Sequence, residues 1–547
     1  MGLLNGFRFE VVLAARTTSS HRIYHLSSAV GRMLRWPLSG VFMRTLTLLT
    51  AFLCCLSGAF GSVARVQVTA SGSPAGNCTG SGVTILTPAQ FNNASNWGSG
   101  PSQIGPGTTI LVCGTFTGTA GQILFYFGGS GTSGNPIAFT CDAGTSINSP
   151  QWGGGSNASI VVAGRTYITL NGSGCTIQNT ANGSALANNA YSTGIWVANS
   201  SSIIVENFTI SNICQHTSAT DHNGCQTSGN LPAAIMTNGS NITVQANSIN
   251  DSGYGVYHNA GTSDSGVTIT GNTINRCNQH IVVATAGSGN GISGTVISNN
   301  TLTNAVNWDD GVTNTFHHNG IFVFQGSGGT ITNTSIYDNS IGGDFGVNDT
   351  SYIFIDPNGG TITRTTVFNN LLLNGSASHG PANGFITGLG TSGGAAYNNT
   401  IFCNGAGFSA IKTDAVDTLK NNVISTCSYG IYVNSGTTLA GSDYNVIYGT
   451  NSMYYNGTNY TSVAAWSAGT GFDTHTVTRS PNLNANGAVP AGSSAIGNGT
   501  NLTSLGITAL DSDYAGNARP SSGAWTAGAY SYVAPPAPPT NLTTTAH

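Results

Sequence analysis

An asparagine, one arbitrary residue, then Ile or Leu recurs down the middle of this chain. It appears as Asn247-Ser-Ile249, Asn272-Thr-Ile274, Asn300-Thr-Leu302, Asn339-Ser-Ile341, Asn370-Leu-Leu372, Asn399-Thr-Ile401 and Asn422-Val-Ile424. Phe208 takes the Asn place one step earlier, because Val205 and Ile210 flank it as Val244 and Ile249 flank Asn247. From Phe208 the steps are 39, 25, 28, 39, 31, 29 and 23 residues. A unit of that length cannot bury its apolar face alone and must stack on copies of itself. Two strands per repeat are legible around the ladder: a Gly-apolar-x-apolar run (Gly194-Ile-Trp-Val197, Gly320-Ile-Phe-Val323, Gly430-Ile-Tyr-Val433) and an alternating run into the Asn (Asn241-Ile-Thr-Val244, Gly266-Val-Thr-Ile269). The ladder Asn residues are expected in turns, where Asn tolerates left-handed backbone, with equivalent amides bonding up the stack.

Composition agrees with many short strands and turns. There are 76 Gly among 547 residues, 6% charged residues and 39% hydrophobic ones, too many apolar groups for a disordered chain. Residues 1–42 read as a mis-assigned start or a leader, with five Arg and the single acid Glu10. A secretory signal is expected at 43–64, from Arg44 through the apolar Leu46–Leu56 to Ser62-Val63-Ala64, and it is too short to span a bilayer. The remainder carries eight cations against 17 acids, so no nucleic-acid partner is expected, and an anionic polymer would need a bridging cation. Secretion or cell-surface display, a monomer and no membrane span follow as expectations. Nine of the eleven Cys lie beyond the signal. Proximity pairs Cys78 with Cys113, Cys141 with Cys175, Cys214 with Cys225 and Cys403 with Cys427, leaving Cys277 as a buried thiol.

Pro88–Trp97 is expected to form a short amphipathic helix that caps the open end of the solenoid. The solenoid should run over 65–441, with its C-terminal end and an irregular tail over 442–532 and a flexible Pro/Thr-rich segment over 533–547. The Gly-Ile-x-Val and Asn-x-Ile rungs resemble the right-handed parallel β-helix proteins of the pectate-lyase-like superfamily. Ser442-Asp-Tyr-Asn-Val446, Asp513-Tyr-Ala-Gly-Asn-Ala-Arg-Pro520 and Gly528-Ala-Tyr-Ser-Tyr532 are similar to the C-terminal segment of many secreted bacterial β-helix proteins. The resemblance covers roughly 84–532 and implies an all-β, single-stranded parallel β-helix.

Corner lengths narrow the search for chemistry. Nine residues suffice to pass from Asn247 to Val256, but 26 separate Phe208 from Ala234 and 21 separate Asn300 from Ile321. The two expanded corners enter the same edge three rungs apart, roughly 14 Å at ordinary strand spacing. They frame a notch in which an extended glycan fits. The first holds His216, Asp221 and His222; the second holds Trp308, Asp309, Asp310, His317 and His318; Asp251, His258, Arg276 and His280 are expected on the floor or rim. Outward alternation makes Trp196 and Phe322 candidate sugar platforms.

Lyases of the resembling superfamily use an Arg or Lys base and Asp-held calcium. That implies Arg276 or His280 as base and Asp221, Asp309 and Asp310 as calcium ligands, with His317 and His318 as further catalytic candidates. His216, His222, His258, Trp196 and Trp308 are the substrate-binding candidates. The expected activity is a lyase on a uronate-containing polysaccharide. A polygalacturonase-type hydrolase is the alternative: Asp309-Asp310, Ser378-His379-Gly380 and Ile411-Lys412-Thr413 follow that family's order, but Gly311 replaces its Cys and Ala410 its Arg. A non-catalytic adhesive β-helix is the rival class. Cys214-x-His216 and His222-x-x-Cys225 also have zinc-compatible spacing, with a disulfide the preferred reading in an exported chain. Asp356, before Pro357, is expected as a turn residue.

Overall fold

In the computed structural model the described residues are 62–76, 78, 83–181, 191–214, 232–305, 317–326, 328–346, 349–450 and 452–536. The leader, nearly all of the signal sequence and the end of the tail lie outside them. Within them, short strands pair in parallel with the strand one repeat later, which is the pattern of a β-helix. Parallel crossovers are right-handed almost without exception, because a right-twisted strand packs back onto its own sheet only that way, and the β-helix is right-handed.

Ten consecutive strands of the sheet reached from the expanded corners are β1 (Thr193–Glu206), β2 (Ala233–Gln245), β3 (Ser248–Ala260), β4 (Thr273–Thr285), β5 (His318–Gln325), β6 (Asp349–Asp356), β7 (Gly384–Thr387), β8 (Ser409–Thr413), β9 (Tyr429–Val433) and β10 (Ser452–Tyr455), and the sheet continues ahead of β1 through Ile160–Ala163 and Phe125–Tyr126. Ile195, Ile235, Val256, Ile281, Ile321, Ile353, Ile386, Ile411 and Ile431 stand in register and fully buried along the coil interior. Each meets its counterpart one rung on, so apolar area is removed from water by stacking alone.

The asparagine ladder is continuous. Asn247 Nδ2 donates to Asn272 Oδ1 at 3.0 Å, and the chain of amides proceeds through Asn300, Asn339, Asn370, Asn399 and Asn422 at 2.9–3.0 Å. Structure adds one rung, Asn445, and a terminator: Asn445 donates to Asp473, which also accepts from Trp466 Nε1. At the other end Phe208, lacking an amide, donates only its backbone N–H to Asn247. The left-handed position is not the ladder Asn itself. It belongs to the residue before, as at Ala246, Asn299, Asp338, Asn369, Asn398, Asn421 and Tyr444, with φ between 51° and 60°. The reason is that the ladder side chain must point inward to bond its neighbours, and the preceding left-handed residue turns it there.

The cap is shorter than expected. A helix α1 spans only Pro88–Phe91, with Thr87 and Gln90 forming a reciprocal capping box, and a 3₁₀ turn follows at Ala94–Asn96. Phe91 seals the end, its ring edge-on to Trp97, Phe125 and Phe127 at 4.9–5.7 Å. At the other end, after a second helix α2 (Val463–Thr470), the tail folds back along the ladder edge. Asn369, Asn398 and Asn421 donate to the tail carbonyls of Ser512, Thr526 and Thr500, and buried Arg519 donates to Asn369 Oδ1. Disulfides Cys78–Cys113, Cys141–Cys175 and Cys403–Cys427 close as expected, and Cys277 is a buried free thiol. Cys214 is disulfide-bonded, while Cys225 lies outside the described residues.

Candidate functional site

The two expanded corners lead into β2 and β5. Pairing runs β2 to β3 to β4 to β5, so their entries are three rungs apart on one sheet. Residues 215–231 and 306–316 are outside the described residues, and with them His216, Asp221, His222, Trp308, Asp309 and Asp310. The strands between are described, with Tyr254 and Tyr257 of β3 and Val282 and Ala284 of β4 on their outward face.

Register aligns the outward residues Trp196, Met236, Tyr257, Val282, Phe322 and Phe354 in one column. Trp196 and Phe322 face outward as alternation predicts. Tyr254 packs on Tyr257 with centroids 4.6 Å apart, and Phe322 stacks on Phe354 at 5.1 Å and 15° and touches Phe324 at 5.2 Å. Val282, Ala284 and Phe322 are buried, while Tyr254, Tyr257, Phe324 and Phe354 are half-buried. Aromatic rings offer a face with negative π density that packs against flat apolar surfaces.

His317 is the candidate that reaches this floor. Its ring lies 5.5 Å from Phe322 and 5.8 Å from Phe354. Asn319 Nδ2 sits 2.7 Å from His317 Nδ1 and also near the His317 carbonyl, so the amide donates to both. Nδ1 is therefore the acceptor and Nε2 carries the proton. Burial pushes the His317 pKa down, the neighbouring His318 adds to this and Asp356 opposes it. His317 is thus a neutral hydrogen-bond donor at Nε2.

Two residues expected on the floor or rim, His258 and His280, and one expected in the second corner, His318, are instead interior. His258 is fully buried, with Nδ1 3.0 Å from Thr237 Oγ1 and Nε2 3.3 Å from Asp264. It lies in register with Val283, which faces the core. Alternation from Val256 already assigns it inward, so that signal was present in the sequence. His280 is fully buried against Phe345, with ring nitrogens on the carbonyls of Thr303 (3.0 Å) and Asn319 (3.3 Å). Burial lowers its pKa to about 4, against the opposing pull of those carbonyls. It stands in register between Gly255 and Gly320, which have no side chain to compete for the space. A Cβ at either glycine would meet the next rung's carbonyl oxygen at 2.5–2.6 Å. His318 is also buried, with Nδ1 2.6 Å from the Phe345 carbonyl. Strict alternation from Ile281 and Ile321 would place His280 and His318 outward. At His318 it fails where β5 has a register irregularity between His318 and Asn319.

Arg276 is on the rim. It takes a left-handed corner position (φ 58°) in register with Asp251 (φ 54°), and its Nε donates to Asp251 Oδ1 at 2.8 Å. Burial raises the Asp251 pKa, and Arg276 opposes that rise. The Arg276 side chain is partly exposed and the Asp251 carboxylate is largely covered, so the pair presents its guanidinium side to solvent.

No calcium cradle is formed by the described residues. Their one cluster of metal-ligating groups is Cys78, Cys113 and Asp142, and its two cysteines are spent in a disulfide. Asp356 accepts the backbone N–H of Asn358 at 3.0 Å, the turn role expected of it. Sequence reasoning missed Tyr254, Tyr257, Phe324 and Phe354. The repeated aromatic at the third place of the Gly-apolar runs was the available signal, but the corner lengths concealed which rungs align.

No protein-family model and no curated protein matches the chain. Among solved structures it is similar to pectate lyase Pel9A, with 14% identity and a TM-score of 0.40 over 87% of this chain and 98% of that one. A tailspike protein mutant of E. coli bacteriophage HK620 matches with 13% identity and a TM-score of 0.39, over 64% of this chain and 71% of that one. GH136 lacto-N-biosidase from Eubacterium ramulus matches with 12% identity and a TM-score of 0.39, over 72% of this chain and 66% of that one. At such scores these likenesses say nothing about chemistry; the β-helix assignment rests on the chain's own strand pairing.

Proposed function

We propose that this chain is an exported, carbohydrate-active β-helix protein that lays an extended polysaccharide on the aromatic floor between its two expanded corners. The observation that carries the reading is the in-register outward column through Tyr257, Phe322 and Phe354, with Tyr254 and Phe324 beside it, at the place where the corners lengthen. A pyranose presents a flat C–H face that packs on such rings, and His317 Nε2–H supplies a polar contact at the floor's edge. Three closed disulfides among the described residues support export.

The first reaction to test is β-elimination on a uronate-containing polysaccharide. In that reading Asp221, Asp309 and Asp310 bridge the substrate carboxylate through calcium, which would also acidify the proton to be removed. Of the two expected bases Arg276 is the one that reaches solvent, and in this reading it takes the proton beside the carboxylate as the glycosidic oxygen leaves. One observation favours a second reading, glycan binding without cleavage. Among the described histidines near the floor, His258, His280 and His318 turn into the protein, and the His317 lone pair is taken by Asn319.

A single panel separates the readings: xylan, β-glucan, galactan, polygalacturonate and alginate, each with calcium and with chelator. Unsaturated, ultraviolet-absorbing products that vanish with chelator mark the lyase. Reducing ends without unsaturation mark a hydrolase. Retardation in affinity gels with neither product marks binding alone, and no retardation on any polymer sinks the proposal. Asp309→Asn together with Asp310→Asn should abolish cleavage.

A further inference from the structure

The outward column does not stop at Phe354. Register carries it on through Thr387 and Lys412 to Tyr432 and Tyr454. The last two rings are stacked, with centroids 4.4 Å apart and planes within 7°. Phe408 leans on Tyr429 and on Tyr432 at 5.0 Å each. All four rings are half-buried, presenting part of their surface to solvent. This is a second aromatic platform on the same face as the first.

The rungs between the platforms have a different chemistry. Thr387 and Lys412 replace the rings, and the Lys412 ammonium lies 5.9 Å from the Tyr432 ring centroid. Asp414, just past the end of β8, is within electrostatic reach of both Lys412 and Asp356. A lysine and two carboxylates are thus gathered beneath a gap of two rungs, in a chain in which 6% of residues are charged. Two ring platforms at either end of one polar gap is the arrangement that an extended chain of sugars would span, with ring faces gripping outer units and charged groups reaching the hydroxyls of the inner ones.

We infer that the Phe408–Tyr429–Tyr432–Tyr454 cluster is a second polysaccharide-binding platform, and that one glycan chain runs parallel to the coil axis from Tyr257 to Tyr454. Seven rung steps separate those residues, about 34 Å at ordinary strand spacing. The inference rests on the reading of the first platform as a glycan floor. Alignment of the two platforms follows from backbone pairing, because every rung in the column is hydrogen-bonded to the next.

The test uses chain length. Whichever of the five polymers retards the protein most is cut to oligosaccharides of three and of eight sugars, and binding of both is measured by calorimetry. Wild type should bind the octamer about tenfold or more tightly than the trimer, one well-made ring contact being worth about that factor. Tyr432→Ala with Tyr454→Ala should erase the difference and leave trimer binding unchanged, while Tyr257→Ala should weaken both. Tyr432→Phe keeps the ring and should retain octamer affinity, which guards against loss of fold. An unchanged octamer advantage in the Tyr432/Tyr454 double variant overturns the second platform but leaves the first standing. Failure of wild type to be retarded by any polymer overturns both.

Discussion

Two columns run along this coil with the same rung spacing and opposite behaviour. At the ladder edge the same residue recurs from Asn247 to Asn445, each amide bonded to the next. On the outward face the residue changes at nearly every step: Trp196, Met236, Tyr257, Val282, Phe322, Phe354, Thr387, Lys412, Tyr432, Tyr454. The difference has a physical cause. A buried amide must find donors and acceptors, and its own copy one rung away offers both at the right distance. An outward side chain makes no demand on strand pairing, so chemistry there is free to differ from rung to rung. Scaffold is therefore read from what repeats and function from what does not.

The sharpest way to break this comparison is to remove one rung. Asn339→Ala leaves the Asn300 backbone N–H and Nδ2 without their acceptor and the Ile297 and Tyr337 carbonyls without their side-chain donor. Each orphaned buried group is worth about 1–3 kcal/mol, so a loss of about 4 kcal/mol or more is expected in denaturant unfolding. Lys412→Ala, on the varied column, should change stability by under about 1 kcal/mol. Equal losses at the two positions would end the distinction.

His280 gives the next largest effect, and it depends on pH. Its folded pKa is lowered to about 4, below the ordinary 6.5, chiefly by burial. Between those values the unfolded chain takes a proton that the folded chain refuses. Its contribution is therefore complete above pH 6.5 and is lost as pH falls towards 4, on the order of 3 kcal/mol. Asp338, raised to about 7 by burial, acts in the opposite sense, gaining stability as pH falls through 7. Comparing wild type with His280→Phe at pH 7 and pH 4.5 isolates the histidine, since Asp338 is common to both. If the acid loss is the same in the variant, His280 is not a buried neutral group.

The smallest effect sharpens the rim. Arg276→Asn keeps a residue at home in left-handed backbone and removes a partly exposed ion pair. A stability change below about 1 kcal/mol is expected. Polygalacturonate retardation should weaken, whereas retardation by neutral polymers should not move.

Much of the scaffold was legible because its signals are local. The Asn-x-Ile repeat, the alternating runs and the pairs Cys141–Cys175 and Cys403–Cys427 all express contacts between neighbouring rungs. The site was less legible. His258 was expected on the floor or rim, although alternation from Val256 points it inward, where it is fully buried. His280 lies inside β4 with glycines in register on both sides, and His318 turns in at the register irregularity of β5, neither of which corner lengths reveal. Arg276 stands on the rim, and only the structure shows that its partner there is Asp251, supplied by the rung before.

By itself, the sequence determined that this chain stacks, since units of 23 to 39 residues with apolar alternation have nowhere else to bury their faces. It also determined that two corners of one edge are long. Only the tertiary structure decided which outward residues share a column, because register depends on where each unequal corner ends. It likewise decided which polar side chains turn inward, because left-handed corner residues rotate the chain out of its period of two. The aromatic face from Tyr257 to Tyr454 is the product of both decisions. Its members lie far apart in the chain, and backbone hydrogen bonds set them in line.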